Sequence, residues 1–281
     1  MFDKLKVRHS FDRAASSYDE AAVLQREVSQ RMLERLDLIK MQPETILDVG
    51  AGTGFVAQGL AGRYKQASII ELDMSVNMLL QSRQKTPWYR RLFKEKLSVC
   101  GDAENLPFAD ASVDMLFSSL TIQWCNDLQK TFNEFMRVIK PGGLLMFTTF
   151  GPDTLKELRQ SWSEVDQSAH VSHFLDMHDV GDMLLQARMA EPVMDVEQFT
   201  LTYESVSSLV NDLRAIGATN AMQQRAQGMT SKSGYQTMLK AYEAWRDTDN
   251  KLPASYEVIY GHAWKGQTIE ESNKVQVEFH R

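Results

Sequence analysis

Cysteine and long apolar runs are scarce in this chain, and each scarcity excludes a class of protein. Cys100 and Cys125 are too few for a disulfide framework, and neither has a further Cys or His at metal-ligand spacing. We therefore predict no metal site and interpret both as small buried apolar side chains. No apolar stretch approaches the ~18 residues that a membrane span needs, and the first residues lack the apolar core of a secretory signal. These absences predict a cytoplasmic protein with no membrane partner.

Positive charge is in the minority, since 31 Lys and Arg residues stand against 37 Asp and Glu. The resulting net charge of −6 argues against a general nucleic-acid binder, although it is compatible with a local basic patch. A hydrophobic fraction of 43% is ordinary for a globular protein. A chain of 281 residues can bury a substantial core, so we expect one α/β domain with additions.

The most informative segment is Leu47 to Gly54, where an apolar run ends in an acidic residue and continues as G-x-G-x-G. Gly50, Gly52 and Gly54 are predicted to form the turn between a first strand and a helix that begins near Phe55. Only glycine lets main-chain amides approach a ligand without a Cβ in the way. A dinucleotide site more often reads G-x-G-x-x-G, so the turn by itself indicates only a nucleotide-like ligand.

A second predicted strand, Ser68 to Leu72, ends at Asp73 about twenty residues after the glycines. A Rossmann-like sheet places a carboxylate for a ribose diol at this position. Glu71 is the alternative acid, but Asp73 fits the spacing to Ser75 better.

Three further segments follow in order. A third strand, Leu97 to Cys100, leads into Gly101 to Phe108, which reads G-D-A-x-x-L-P-F. Ser112 to Ser118 reads as a fourth strand, and Glu134 to Phe147 reads as helix, turn and fifth strand. Four ordered motifs are far more specific than one.

Together these segments resemble the motifs of class I S-adenosylmethionine (SAM) methyltransferases. The resemblance implies an α/β, Rossmann-like fold with a seven-stranded, mostly parallel sheet, helical lid additions and SAM as cofactor. It also implies that Asp73 holds both ribose hydroxyls, that Asp102 accepts from the adenine amino group and that the Ala103 amide meets a ring nitrogen. The predicted cofactor-binding residues are Asp48, Gly50, Ala51, Gly52, Gly54, Asp73, Met74, Asp102, Ala103, Glu104 and Ser118.

Segments outside the motifs are predicted to form the acceptor pocket. Residues 1–42 have helical apolar spacing and are interpreted as an N-terminal lid segment before a methyltransferase domain at 43–265. Residues 204–253 exceed a standard β6–β7 connection and are interpreted as a helical insertion that forms a substrate lid. Residues 266–281 are interpreted as a tail. Further predicted elements are helices at 154–165, 177–188, 205–216 and 234–245 and strands at 193–203 and 256–264.

A narrower resemblance spans nearly the whole chain up to about residue 265. It rests on Phe11-Asp12-Arg13-Ala14-Ala15-x-x-Tyr18 with Leu24-Gln25, on Leu120 to Cys125, on Thr148 to Phe150, on Leu155-x-Glu157-Leu158 and on Ile216 to Thr219. These segments are similar to the malonyl-acyl-carrier-protein O-methyltransferases of biotin synthesis. Such enzymes convert the free carboxylate of a malonyl thioester into a methyl ester. The implied partner is malonyl-acyl carrier protein, or malonyl-CoA.

Two alternatives stay open. Phe150 to Arg159 also resembles a SAM-binding branch that assembles respiratory complex I and hydroxylates a protein arginine. The absence of an Arg/Ser-rich transit peptide favours the bacterial-type enzyme. The other alternative is a small-molecule methyltransferase acting on a quinone or sterol, which would need an apolar pocket without arginine.

The chemistry predicts no general base. A malonyl carboxylate is already ionised near neutral pH, so positioning is the main requirement. A dry pocket for a carboxylate favours an arginine fork, and the candidates are Arg13, Arg159 and Arg214. Tyr18, Gln123 and Trp124 are predicted to line the pocket between donor and acceptor.

Three histidines and one basic stretch are further candidates for function. His170, His173 and His178 are close in sequence but have no acidic ligand pattern, so we predict no metal there and consider His173 as a pocket donor. Acyl carrier proteins are acidic and call for a local positive face. The densest basic stretch consists of Arg83, Lys85, Arg90, Arg91, Lys94 and Lys96.

Overall fold

A seven-stranded mixed sheet forms the centre of the protein. The computed structural model describes residues 1–85, 97–222 and 231–267. The strands are β1 (Thr45–Val49), β2 (Ser68–Asp73), β3 (Leu97–Cys100), β4 (Val113–Ser118), β5 (Ile139–Phe150), β6 (Met189–Tyr203) and β7 (Leu252–Lys265). Their order is β3-β2-β1-β4-β5-β7-β6, in which β1 to β5 are parallel and β7 is antiparallel to β5 and β6.

Helices precede the sheet and connect its strands. Those before β1 are α1 (Lys4–Ala14), α2 (Tyr18–Ala21) and α3 (Val23–Arg35). Those between the strands are α4 (Phe55–Arg63), α5 (Val76–Lys85), α6 (Leu128–Val138), α7 (Lys156–Ser163), α8 (Met177–Gln186), α9 (Val206–Ala215) and α10 (Lys232–Glu243).

The central strands separate two apolar cores. Leu116 of β4 belongs to the core that contains Phe132 of α6, whereas Met115 and Phe117 belong to the core that contains Met32 of α3. Successive side chains of a strand point to opposite faces of the sheet. A parallel strand covered on both faces is therefore a nearly continuous apolar run, and β1 and β4 read this way except for Asp48 and Asp114.

The sheet contains a switch point next to β1. After β3 the chain crosses to the other side of β1, so the strand order reverses between β1 and β4. In open α/β sheets of this kind, ligands bind in the crevice outside the carboxyl ends of the strands at such a point. The site is therefore expected where the loops after β1, β2, β3 and β4 meet.

The predicted fold class is confirmed, and the predicted strands appear within a few residues of their expected ends. The turn predicted between α6 and the fifth strand lies inside β5, since Ile139 pairs with Val113 and Leu144 with Met115 while Lys140 to Gly143 bulge out of this pairing. Gly142 has a positive φ of 77° there, and the β4–β5 register shifts between Val113 and Met115. The pairing with β4 thus continues past the residues that suggested a turn.

Cys100 corrects another expectation, because it is exposed rather than buried. It lies on β3, the edge strand of the sheet, where one side has no neighbouring strand among the described residues. Cys125 is partly covered, and burial raises the pKa of its thiol to about 11. Among the described residues, no helix is both long and apolar enough to cross a bilayer.

Parts of the two segments interpreted as lids meet near the carboxyl ends of the parallel strands. Asp12, on α1, accepts hydrogen bonds from the Ser75 hydroxyl and the Asn77 amide just after β2. The Ser17 hydroxyl donates to the Ala215 carbonyl at 3.2 Å, which joins the N-terminal segment to the end of α9. The tail beyond residue 267 lies outside the described residues, and so do Arg90, Arg91, Lys94 and Lys96 of the predicted basic stretch.

Candidate active site

The glycine turn after β1 is held in a conformation that favours glycine at three positions. Gly50, Gly52 and Gly54 have φ values of 76°, 52° and 82°. A Cβ on Gly50 would collide with the Thr121 side chain, and one on Gly54 would collide with Ser82. A Cβ on Gly52 would meet no protein atom within 4 Å. Packing therefore explains two of the glycines, whereas the bare face of Gly52 is turned towards open space.

That open space is a cavity of about 630 Å³, here named the glycine-loop cavity. It lies against the loops that follow β1, β2, β3 and β4, at the predicted switch point. Its lining includes Lys4, Phe11, Tyr18, Gly50, Gly52, Asp73, Met74, Met78, Asp102, Ala103, Leu120, Thr121 and Trp124.

Asp73 is the carboxylate that faces the glycine-loop cavity from the end of β2. Its Oδ1 accepts from the Ser75 amide at 2.7 Å and its Oδ2 accepts from the Gly52 amide at 2.9 Å. Burial raises the pKa of Asp73 to about 6, and the two amide hydrogen bonds oppose this rise. Glu71, the alternative, is fully buried away from the cavity and accepts from the hydroxyls of Ser82 and Ser98.

Asp102 marks the far side of the glycine-loop cavity, after β3. Its Oδ1 accepts from the Lys4 ammonium at 3.0 Å and from the Glu104 amide at 3.1 Å. Glu104 also pairs with Lys4 and accepts from the amides of Asn126 and Asp127. Burial opposes the charge of Lys4, but its hydrogen bonds to the two carboxylates outweigh this and raise its pKa. A cation from α1 is therefore built into this end of the cavity.

The other predicted cofactor residues divide into two groups. Ala51 lines an adjoining cavity of about 470 Å³, here named the side cavity, together with Gly50 and Gly52. Asp48, Gly54, Glu104 and Ser118 line neither cavity. The buried Ser118 hydroxyl donates to the Val49 carbonyl at 3.1 Å and so braces the start of the glycine turn.

Asp19, on α2, connects the N-terminal segment to the glycine turn at the side cavity. It accepts from the Thr53 hydroxyl at 2.6 Å and forms an ion pair with Lys85 at 2.5 Å. Burial disfavours the charged carboxylate, but Lys85 and Thr53 outweigh it and lower the pKa of Asp19. Arg26 donates to the Asp19 carbonyl at 2.6 Å. The charged side of α2 is thereby fixed over the turn.

A further cavity, about 850 Å³ and here named the aromatic cavity, adjoins the glycine-loop cavity. Phe11, Tyr18, Leu120 and Trp124 line both cavities, so they form a shared wall. The Phe11 and Trp124 rings meet edge to face, with centroids 5.4 Å apart. Other lining residues include Phe2, Gln25, Gln123, Phe150, His170, Ser172, Phe174, Ile216, Thr219, Asn220 and Tyr256.

The aromatic cavity has a few fixed polar groups in a largely apolar lining. Gln123 donates to the Leu120 carbonyl at 2.7 Å, and its buried Oε1 has no hydrogen-bond partner among the described residues. The His170 ring stacks on Trp162 with centroids 3.9 Å apart, and its Nε2 lies 2.9 Å from a carboxylate oxygen of Asp166. The described lining contains neither Lys nor Arg.

Tyr18, Gln123 and Trp124 thus lie at the cavities, as the sequence analysis expects. The three arginines do not come together there. Arg13 and Arg214 are exposed. Each lies on the outward side of its helix, away from the side that buries residues such as Ala14 on α1 and Leu209 on α9.

Arg159 has a different environment from the other two arginines. It donates to the carbonyls of Pro152 and Thr154 at 2.9 and 2.8 Å and so caps the loop after β5. No arginine of the three lines the described part of the aromatic cavity, and their role in holding a carboxylate stays a prediction.

Sequence reasoning missed Lys4 and selected His173 instead of His170. His173 is exposed, whereas His170 lines the aromatic cavity. Nothing local distinguishes the two histidines, since the segment that carries them has no regular periodicity. Among the described residues, no group of His, Cys, Asp or Glu side chains is arranged to hold a metal ion.

Comparison with known proteins identifies the family. A family profile described as a methyltransferase domain matches residues 47–147. The chain is 53% identical over 267 residues to a malonyl-acyl-carrier-protein O-methyltransferase of Gallionella capsiferriformans (strain ES-2), covering 94% of this chain and 92% of that protein. The chain belongs to the malonyl-acyl-carrier-protein O-methyltransferase family. A family member from Methylovorus sp. (strain MP688) is 51% identical, with 95% and 90% of the two chains covered.

Solved structures show the same fold at low identity. The YcgJ protein from Bacillus subtilis superposes with a TM-score of 0.60 at 15% identity, covering 86% of this chain and 99% of that one. A putative methyltransferase from Haloferax volcanii, in complex with the Trm112 activator, gives 0.57 at 18% identity, covering 94% and 99%. Membership of the malonyl-acyl-carrier-protein O-methyltransferase family makes the protein a carboxyl O-methyltransferase with SAM as its cofactor.

Gly52 offers a direct test of how this cofactor is held. Gly52→Ala should leave the protein folded but weaken SAM binding at least about tenfold, because the added methyl points into the glycine-loop cavity. The positive φ costs the fold only about 1–2 kcal/mol. Thermal melting and calorimetric titration with SAM measure the two effects. Normal SAM affinity in Gly52→Ala would mean that the cofactor does not approach this residue.

Proposed function

We propose that the protein transfers the methyl group of SAM to the free carboxylate of a malonyl thioester presented by an acyl carrier protein. The observation that carries this proposal is the shared wall of Phe11, Tyr18, Leu120 and Trp124. The glycine-loop cavity meets the aromatic cavity at these four side chains, so a methyl donor in the first and an acceptor in the second would come together there. Relatives of this chain are named for this reaction.

The residues of the glycine-loop cavity fit SAM. A Cβ-free main chain at Gly52 leaves room beside the turn, and Asp73 presents a buried carboxylate to hold the ribose hydroxyls. Asp102 and the Ala103 amide would hold the adenine, with Lys4 fixing the Asp102 carboxylate. When bound, SAM supplies an electrophilic methyl group on a sulfonium.

The protein's own contribution to the reaction is positioning. An ionised acceptor carboxylate needs no proton removed, so the aromatic cavity has only to hold the acceptor in line and exclude water. Phe150 and Phe174, with ring centroids 5.6 Å apart, supply an apolar lining. His170 is the histidine of the described lining, with ring nitrogens that can form hydrogen bonds, and we assign it to the acceptor together with Tyr18 and Gln123.

The alternatives are less well supported. Curated relatives at 44–53% identity are named malonyl-acyl-carrier-protein O-methyltransferase, and none of these names refers to arginine hydroxylation or complex I assembly. The lack of Lys and Arg in the described lining of the aromatic cavity does suit an apolar acceptor. That observation keeps a small-molecule acceptor as the second candidate.

The experiment that separates these functions is an acceptor assay. Purified protein with SAM is offered malonyl-acyl carrier protein, malonyl-CoA and an apolar quinone, and products are identified by mass. We expect a gain of one methyl group on the malonyl thioesters, with carrier-bound malonate preferred. Methylation of the quinone alone would overturn the proposal.

The affinity for SAM should fall as the pH is lowered through about 6, because the buried Asp73 has its pKa raised to about 6 in the ligand-free protein. Ribose hydroxyls donate to the ionised carboxylate, so binding favours that form and is lost as the carboxylate is protonated. Above the free-state pKa the Kd should be constant, and below it the Kd should rise by up to about tenfold per pH unit.

Calorimetric titrations with SAM between about pH 5 and 8 measure how the Kd depends on pH in the range where Asp73 changes charge. Protonation of this single carboxylate corresponds to about one proton per site. Asp73→Asn is the control and should give a flat profile at lower affinity. A wild-type profile as flat as that of the variant would contradict the assignment.

A further inference from the structure

Helix α1 presents several basic side chains to solvent. Lys6, Arg8, His9 and Arg13 are exposed on it, and Leu5 beside them is 67% exposed. The opposite side of the helix is buried through Val7, Ser10 and Ala14. A helix with one buried side and one charged side is normal at a protein surface. An exposed leucine among Lys and Arg side chains is a less common feature and points to a contact surface.

Helix α1 borders both cavities. Phe11 of α1 lines both cavities, and Lys4 lines the glycine-loop cavity. The loop after α9 packs against the same helix, because the Ser10 hydroxyl lies 2.7 Å from the Thr219 hydroxyl. Thr219 lines the aromatic cavity. The exposed Arg214 near the end of α9 therefore extends the basic face of α1 along the rim; we name the set Lys6, Arg8, His9, Arg13 and Arg214 the rim basic face.

The charge of the rim contrasts with that of the whole chain. The protein carries a net charge of −6, whereas α1 contains four Lys and Arg residues and a single acidic one. That acid, Asp12, is occupied by Ser75 and Asn77, and it lies 3.7 Å from the Arg8 guanidinium. Lys6 lies 3.7 Å from the carboxylate of Asp3, the residue just before the helix. Arg13 and Arg214 form no ion pair with any residue in the described ranges. Asp212, two residues before Arg214 on α9, is an exposed acid close to the basic residues in sequence.

We propose that the rim basic face is the docking surface for the acyl carrier protein. This inference rests on the proposed function. A thioester tethered to its carrier can enter the aromatic cavity only if the carrier settles at the cavity rim. An acidic carrier meets complementary charge there, with Leu5 as an apolar contact at the centre.

The test compares carrier-bound substrate with a malonyl thioester of a short thiol. In the Lys6→Glu, Arg8→Gln double variant, kcat/KM for malonyl-acyl carrier protein should fall about tenfold or more at low salt. The kcat/KM for the short thioester should stay within about twofold, since neither residue lines a cavity. Raising salt to about 1 M, where the Debye length is about 3 Å, should reduce the difference between variant and wild type.

Two controls make the result specific. Arg188→Glu reverses an exposed charge at the start of β6, at the opposite edge of the sheet, and should leave both substrates unaffected. Arg8→Lys keeps the charge and should keep most activity on the carrier. Thermal melting checks that every variant is folded.

The outcomes separate docking from the function itself. Equal losses on both substrates, or no loss on the carrier-bound one, would overturn the docking surface while leaving the proposed function in place. A wild-type protein inactive on both substrates would remove the function and the docking inference together.

Discussion

Asp73→Asn should weaken SAM binding by at least about a hundredfold while leaving the protein folded, because two charge-assisted hydrogen bonds are each worth about 1.5–3 kcal/mol. The carboxylate faces the glycine-loop cavity and is fixed by the amides of Gly52 and Ser75. Asparagine keeps one acceptor oxygen and the size of the side chain but removes the charge. Calorimetry with SAM measures the affinity, and thermal melting measures the fold.

Glu71→Gln is the matched control for this result. Glu71 is fully buried and accepts from Ser82 of α5 and Ser98 of β3, so its replacement should lower the melting temperature rather than the SAM affinity of the folded protein. The opposite pattern, with normal affinity in Asp73→Asn and lost affinity in Glu71→Gln, would assign the ribose to the other acid.

Trp124→Ala should lower turnover on a malonyl thioester by about a hundredfold or more, since a small misplacement of reacting groups can cost that much. Its ring lines both cavities and packs against Phe2 and Phe11, with centroids 5.5 and 5.4 Å away. Removing it would join the two cavities into a wider space and release the start of α1. Steady-state kinetics with saturating SAM measures the loss.

Two variants control for simple destabilisation. Trp124→Phe keeps an aromatic wall and should recover most of the turnover. Trp245→Ala removes a tryptophan that lines neither cavity, so it should affect the melting temperature more than turnover. If Trp124→Ala turned over as fast as Trp245→Ala, the shared wall would have no part in positioning the acceptor.

The cofactor side of the site could be read largely from local sequence. Asp73 and the glycines follow strands whose apolar runs are visible in the chain, and the carboxyl ends of parallel strands share one edge of a sheet. The spacing to Ser75 favoured Asp73 over Glu71, and the structure places Asp73 at the cavity. The two acids are two residues apart on one strand, and only their surroundings show which of them faces a cavity.

The acceptor side was read less well. Arg13 lies two residues after Phe11 on α1. Because a helix turns by about 100° per residue, the two side chains point to nearly opposite sides, Phe11 inward and Arg13 outward. The family-like segments identified the arginines but did not show which side of the helix each of them faces. Contacts between residues distant in the chain place His170 and Lys4 at the site. Asn220 donates to the His170 carbonyl from 50 positions away, and Lys4 donates to Asp102 from 98 positions away.

By itself, the sequence determined the fold class, the order of the elements and the glycine turn, because these depend on periodicity and on residues that are close along the chain. The cofactor followed from the resemblance of the ordered motifs to those of SAM methyltransferases. Only the tertiary structure decided which side chains share a cavity. That depends on how α1 and the loop after α9 pack over the carboxyl edge of the sheet. The Ser10–Thr219 and Lys4–Asp102 contacts that fix this packing join residues 209 and 98 positions apart. Such long-range contacts leave no periodic signal in the chain.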